Sequence, residues 1–324
     1  MKILINLKRG EGDELYGHLR DEIVKRGHEI IKTNFSADEM SKLIDLAKEC
    51  QVLVSGVDRW NAQALGLIKD HIKLIVRVGV GCDNIDLIAA GQYGIAVANT
   101  AGSNANAVAE GVLALMLSLC RRVAASDRDM RKGIWNNSLL TTELIGKQVG
   151  IIGYGNIGKK LVSLLGGFTK KIAAYDPYVS KPVGGQEYVR FASLDELASE
   201  SDFISVHVPG IPENENMFNK DFFRKMKKNA YFINTSRGSV TDESALVDAL
   251  NRREIAGAAL DVYREEPLAQ NSPLLKMENV VLLPHMLSAS RESAFATMDM
   301  VIQNIEDYFS DKGCSRIVNK VKLK

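Results

Sequence analysis

Short apolar runs recur through the first hundred residues, and polar segments with helical spacing separate them. Residues 2–6, 28–33, 52–54, 74–78 and 95–98 each centre on Ile, Leu, Val or Ala. Between the first two runs, Leu15, Leu19, Ile23 and Val24 recur at the three- and four-residue intervals of one helix face. Met40, Leu43, Ile44 and Leu46 follow Ser36 and Glu39, the spacing of a capping box. Strands that are apolar on both faces, alternating with helices, predict a parallel sheet covered on both sides.

The second half repeats the alternation. One long helix is predicted over residues 105–132, then a less regular arm at 133–146 that contains Trp135. Runs at 149–152, 172–175, 203–208, 230–234, 255–260 and 280–283 predict further strands, and residues 293–309 a closing helix. At 324 residues the chain exceeds one ordinary core, so two domains are expected. The predicted class is α/β: two Rossmann-like or flavodoxin-like parallel-sheet domains. Residues 104–285 form a dinucleotide-binding domain inserted into a substrate domain made of residues 1–103 and 286–324.

The insertion is read from the stretch at 149–158. Its apolar run ends in Gly153, Gly155 and Gly158, with Tyr154, Asn156 and Ile157 between them, and a helical pattern follows. Strand, Gly-x-Gly-x-x-Gly turn and helix make the dinucleotide fingerprint. Gly153 permits the tight turn, Gly155 lets the backbone approach a pyrophosphate, and Gly158 lets helix and strand pack closely. The helix start at Asn156 and Ile157 turns free N–H groups toward the phosphates. Asp176 ends the next predicted strand and suits both ribose hydroxyls of NAD, while repelling the 2′-phosphate of NADP. An equally local role for Asp176 is a turn residue before Pro177.

Composition narrows the partners. Lys and Arg number 41 against 40 Asp and Glu, a net charge of +1, which offers no footprint for nucleic acid or an acidic membrane. The most apolar helical stretch, residues 111–120, is half the length of a membrane span. The four cysteines are widely spaced with no C-x-x-C, as in a reduced cytoplasmic protein, and no metal-ligand pattern stands out.

Three polar residues lie just past predicted strand ends: Arg237, Glu266 and His285. A guanidinium fork suits a carboxylate, and a His beside a carboxylate suits proton transfer near neutrality. That set fits hydride exchange between a 2-oxo acid and a 2-hydroxy acid. Each also has a plainer reading, as a loop arginine, a solvated glutamate and a packed histidine.

These residues stand within longer motifs. Residues 77–86 read RVGVGCDNID, 104–110 NANAVAE, 206–209 VHVP, 234–238 NTSRG and 257–262 GAALDV, with Glu266-Pro267 and Pro284-His285 beyond. Together with the fingerprint, they resemble the D-isomer-specific 2-hydroxyacid dehydrogenase family over nearly the whole chain. The resemblance implies Arg237 as the carboxylate-binding catalytic residue, Glu266 and His285 as the acid–base pair, and Asp261 as the partner of the nicotinamide amide. It implies Thr235 and Ser236 under the nicotinamide ribose, with His207 and Pro209 flanking the adenosine half. Gly79, Val80 and Gly81 would cradle the substrate carboxylate, and Asn104 and Ser55 would also face substrate. Ser55 stands where phosphoglycerate enzymes of the family carry an arginine, and Met286-Leu287 replaces the usual glycines after the catalytic histidine. A homodimer through residues 105–146 is expected. The alternatives are another hydride donor, of phosphite or formate type, and a non-catalytic dinucleotide-sensing scaffold.

Overall fold

The computed structural model describes residues 1–8, 13–310 and 313–321. The chain divides into two compact units, Met1–Asn104 with Arg291–Lys324, and Ala105–Ser290.

The first unit begins β1 (Lys2–Asn6), α1 (Glu14–Lys25), β2 (Glu29–Thr33), α2 (Met40–Ala47) and β3 (Val52–Ser55). It continues α3 (Ala62–Ile68), β4 (Leu74–Arg77), α4 (Leu87–Gln92) and β5 (Ala96–Ala98). The order β2-β1-β3-β4-β5 is parallel throughout and is that of a flavodoxin-like sheet. Asp13 caps α1 by accepting from the Leu15 and Tyr16 amides. The Ser36–Glu39 capping box forms as its spacing predicts, around a short 3-10 turn that leads into α2.

The second unit opens with α5 (Ala105–Cys120) and α6 (Val123–Arg131), then β6 (Val149–Ile152), α7 (Asn156–Leu165), β7 (Ile172–Tyr175) and β8 (Val189–Phe191). It continues α8 (Leu194–Glu200), β9 (Phe203–Val206), α9 (Lys220–Lys225), β10 (Tyr231–Asn234), α10 (Glu243–Asn251), β11 (Gly257–Leu260) and β12 (Val280–Leu282). The last helix, α11 (Arg291–Phe309), returns to the first unit and packs on α1 and β4. The sheet order β12-β11-β10-β9-β6-β7-β8 reverses between β6 and β9. In open parallel sheets that switch point, at the carboxyl ends of the strands, is where ligands bind.

The single helix expected over 105–132 is two helices. The break falls at Arg121 and Arg122, and Arg122 takes a left-handed backbone, φ 54°. No Gly or Pro marks the break, so the helical pattern runs across it unbroken. Residues 134–143 form no regular element, and Trp135 and Leu140 are 76% and 97% exposed there. No helix among the described residues is long and apolar enough to cross a membrane.

Candidate active site

At the switch point the three fingerprint glycines do separate jobs. Gly153 has φ +98°, and a Cβ there would lie 2.6 Å from the His207 carbonyl oxygen, so β6 and β9 leave no room for a side chain. A Cβ on Gly158 would meet the Gly153 carbonyl at 2.3 Å, which presses α7 against the turn. Gly155 is different: a Cβ there would meet open space. It is the N-cap of α7 and supplies no side-chain cap, so Asn156 and Ile157 begin a helix whose first turn faces outward uncapped. Open space before an uncapped helix start fits a pyrophosphate.

Asp176 follows β7 and stands beside this turn. Its Oδ2 accepts from the Tyr154 amide at 2.9 Å and its Oδ1 from the Tyr178 amide at 2.8 Å. The carboxylate is thereby fixed and half-exposed, with lone pairs left for a ribose. Across the switch point, the His207 amide donates to Ile152 and its Nε2 lies 2.9 Å from Ser205 Oγ. Its Nδ1 is buried without a partner, and burial pushes the imidazole down to about 3, so the ring is neutral. Pro209 is exposed just beyond, and its carbonyl accepts from Asn214 Nδ2 at 3.0 Å.

The catalytic candidates share one rim. Asn234, 1% exposed at the end of β10, organises the turn that carries Arg237. Its Nδ2 donates to the Arg237 carbonyl at 2.9 Å, and its Oδ1 accepts from the Ser236 amide and hydroxyl. The Thr235 hydroxyl is buried without a partner. Arg237 Nη1 donates to the Ser236 carbonyl at 2.7 Å, and its aliphatic stem covers Gly210, where a Cβ would meet Cγ at 2.7 Å. At Gly238 a Cβ would lie 1.9 Å from the Tyr263 carbonyl carbon, so the Arg237 turn rests directly on the loop leading to Glu266.

Glu266 and His285 form a pair, Oε2 to Nδ1 at 2.7 Å. Glu266 Oε1 accepts from the Tyr263 amide at 3.1 Å, and the Tyr263 hydroxyl donates to the Leu283 carbonyl at 2.8 Å. Tyr263 therefore joins the loop of the acid to the strand of the histidine, a link with no motif to announce it. Burial raises its phenol to about 12, so it stays a donor. His285 has a left-handed backbone, φ 52°. Asp261, 2% exposed, holds that turn from beneath through the Met286 and Leu287 amides, at 2.8 and 3.1 Å. Burial raises the Asp261 carboxyl, and the two amides oppose the shift. Both its oxygens are already engaged, so only its remaining lone pairs are left for a nicotinamide amide. Leu287 does not crowd the rim: it packs on α5, where a Cβ at Gly111 would meet its Cγ at 2.4 Å. Met286 is half-exposed.

In the first unit the expectations need two corrections. Ser55 is fully buried, donating to Asp58 Oδ2 at 2.8 Å and accepting from Trp60 Nε1 at 3.0 Å. Its side chain is structural and leaves the substrate set. Gly79 has φ +135°, but its amide donates to Thr100 Oγ1 at 2.9 Å and is not free for a carboxylate. The Val80 and Gly81 amides have no protein partner among the described residues. Asn104 is partly buried and makes no side-chain hydrogen bond there. No group of three or more His, Cys, Asp or Glu placed to hold a metal occurs among the described residues.

Residues 113–286 match the model of the D-isomer specific 2-hydroxyacid dehydrogenase, NAD binding domain. The chain is similar to a glyoxylate reductase of Korarchaeum cryptofilum, 35% identical over 317 residues, 94% of this chain and 95% of that protein. It is also similar to a D-3-phosphoglycerate dehydrogenase of Archaeoglobus fulgidus, 36% identical over 287 residues, which are 88% of this chain. The match spans about half of that relative, 54% of its length. Among solved structures, that of D-2-hydroxyisocaproate dehydrogenase superposes with a TM-score of 0.85 at 29% identity, covering 98% of this chain and 99% of that one.

Proposed function

The chain belongs to the D-isomer specific 2-hydroxyacid dehydrogenase family, with its NAD-binding domain over residues 113–286, and we propose that it reduces a small 2-oxo acid to the D-2-hydroxy acid with NADH. The observation that carries this reading is the 2.7 Å His285–Glu266 pair on the rim that also carries Arg237. NADH, when bound, supplies the hydride. Arg237 binds the substrate carboxylate through its guanidinium fork. Glu266 engages Nδ1 of His285, which leaves Nε2 to hold the proton given to the carbonyl oxygen. In the oxidative direction the same nitrogen takes that proton back.

Gly153, Gly155, Asn156, Ile157 and Gly158 are proposed to seat the pyrophosphate, Asp176 the adenosine ribose, and Thr235, Ser236 and Asp261 the nicotinamide half. The orphaned Thr235 hydroxyl and the open space at Gly155 support that seating. His207 and Pro209 flank the adenosine side. Val80, Gly81 and Asn104 are the proposed substrate contacts of the first unit.

A homodimer is proposed because the irregular arm exposes Trp135 and Leu140, and light scattering showing a monomer at micromolar concentration refutes it. Four free cysteines support a cytoplasmic setting. Glu266 as a carboxylate supports 2-oxo acid chemistry over the formate-type alternative. No feature of the site favours phosphite oxidation or a non-catalytic scaffold. The test of function is Arg237→Ala: turnover should collapse on every accepted substrate, and full turnover on any of them contradicts the assignment.

A further inference from the structure

In the first unit, the carboxyl ends of β1, β3 and β4 are the ligand end of an open parallel sheet, and they hold a carboxylate that the proposed function leaves unused. Asp58 lies in the turn after β3 and is partly buried. Its Oδ2 accepts from Ser55 Oγ at 2.8 Å and its Oδ1 from Asn6 Nδ2 at 2.8 Å. Both donors are themselves buried and fixed. Ser55 accepts from Trp60 Nε1 at 3.0 Å, and both are fully buried. Asn6 is 3% exposed, and its Oδ1 accepts from the Phe35 amide and the Thr33 hydroxyl at 2.8 and 2.9 Å. No cation neutralises the carboxylate. Asp58 forms no ion pair among the described residues, and Lys8 and Arg59 at the same strand ends are exposed. Arg77, at the end of β4, is turned onto its own chain, where Nη1 donates to the Val78 carbonyl and lies against Gly79.

The Asp58 turn is tied to the loop that carries Val80 and Gly81. Asn84 Nδ2 donates to the Asp58 carbonyl at 2.6 Å and to the Gly56 carbonyl at 3.3 Å, and the Trp60 amide donates to the Asn84 carbonyl at 2.9 Å. A ligand held by the Val80 and Gly81 amides therefore has a fixed anion on the adjoining turn. The two hydrogen bonds to Asp58 leave lone pairs for a further donor. A second anion there meets a like charge that cannot turn away.

We propose that Asp58 sets the charge of the substrate's far end: it accepts a hydrogen bond from a hydroxyl or ammonium group on the side chain of the 2-oxo acid, and it excludes a second carboxylate or a phosphate. The assignment rests on the 2-oxo acid reading given above.

The test is kcat/KM at saturating NADH for two matched pairs of substrates. Hydroxypyruvate should exceed 2-oxobutyrate, its methyl counterpart, by about tenfold or more, and 2-oxopentanoate should exceed 2-oxoglutarate by about tenfold or more. Asp58→Asn removes the charge but keeps both links, its amide oxygen accepting from Asn6 and its NH₂ donating to Ser55. Both preferences should shrink roughly tenfold in it. Asp58→Ser is a second neutral variant with the same expectation, and Arg59→Ala should keep the parent's ratios. The proposal is overturned if the parent takes 2-oxoglutarate as well as 2-oxopentanoate, if the ratios survive in the neutral variants, or if Arg59→Ala changes them as much. A parent that turns over none of the four overturns the reductase reading and this assignment with it, whereas turnover with unchanged ratios overturns Asp58 alone.

Discussion

His207 links the cofactor side of the sheet to the pH dependence of stability. Its Nε2 is held by Ser205 at 2.9 Å, and its Nδ1 is buried without an acceptor. Protonation would place a cation and an unmatched donor in that position, which is why burial drives the ring down to about 3. In the unfolded chain an imidazole titrates near 6.5 (roughly). The folded value is the lower one, so the unfolded state binds the proton first. The contribution is fully present above about pH 6.5 and declines as pH falls toward 3. Between pH 7 and pH 5 it amounts to about 1.4 decades of proton affinity, or about 2 kcal/mol. Urea unfolding of the parent and of His207→Gln at the two pH values measures it. The parent should lose about 2 kcal/mol more than the variant over this range. Equal losses, or a ring resonance that titrates near 6.5 (roughly) in the folded protein, refute the reasoning.

Three other perturbations have definite outcomes. His285→Ala should lower kcat for 2-oxo acid reduction by about two to four orders of magnitude, the scale of lost general acid catalysis, with Glu266→Gln causing a smaller fall; stopped-flow absorbance of NADH measures both. Gly238→Ala would bring a Cβ within 1.9 Å of the Tyr263 backbone, so a loss of about 1–3 kcal/mol is expected by thermal unfolding. Asp176→Ala should raise KM for NADH by roughly tenfold while narrowing the preference over NADPH, because the ribose acceptor is lost and the repulsion of a 2′-phosphate with it.

The sheets were legible where strands are buried on both faces. The runs at 2–6, 52–54 and 149–152 became β1, β3 and β6 within a residue. Edge strand β8 was not, because Val189–Phe191 is three residues long with an exposed arginine in the middle, too short for a period. The break at Arg122 was equally silent, since the backbone turns at a residue with no turn propensity. At the rim, the chemistry of Arg237, Glu266 and His285 could be read from residue type and strand-end position. Their supports could not: Asn234, Tyr263 and the Asp261 grip on the Met286 and Leu287 amides depend on which loops meet in space. Ser55 shows the opposite failure. The family resemblance places it toward substrate, yet Asp58 and Trp60 engage its hydroxyl. The bulky Leu287 has its counterpart in Gly111, a helix glycine whose reason appears only when α5 and the turn are seen together.

The most direct test is to follow the absorbance of NADH as the purified chain meets pyruvate, glyoxylate, hydroxypyruvate, 2-oxoglutarate, phosphohydroxypyruvate and longer 2-oxo acids, with formate and phosphite tested against NAD. The account predicts NADH oxidation with at least one 2-oxo acid, giving the D-hydroxy acid, and loss of that turnover in Arg237→Ala. Turnover confined to formate or phosphite, or none with any 2-oxo acid while NADH binds, contradicts it.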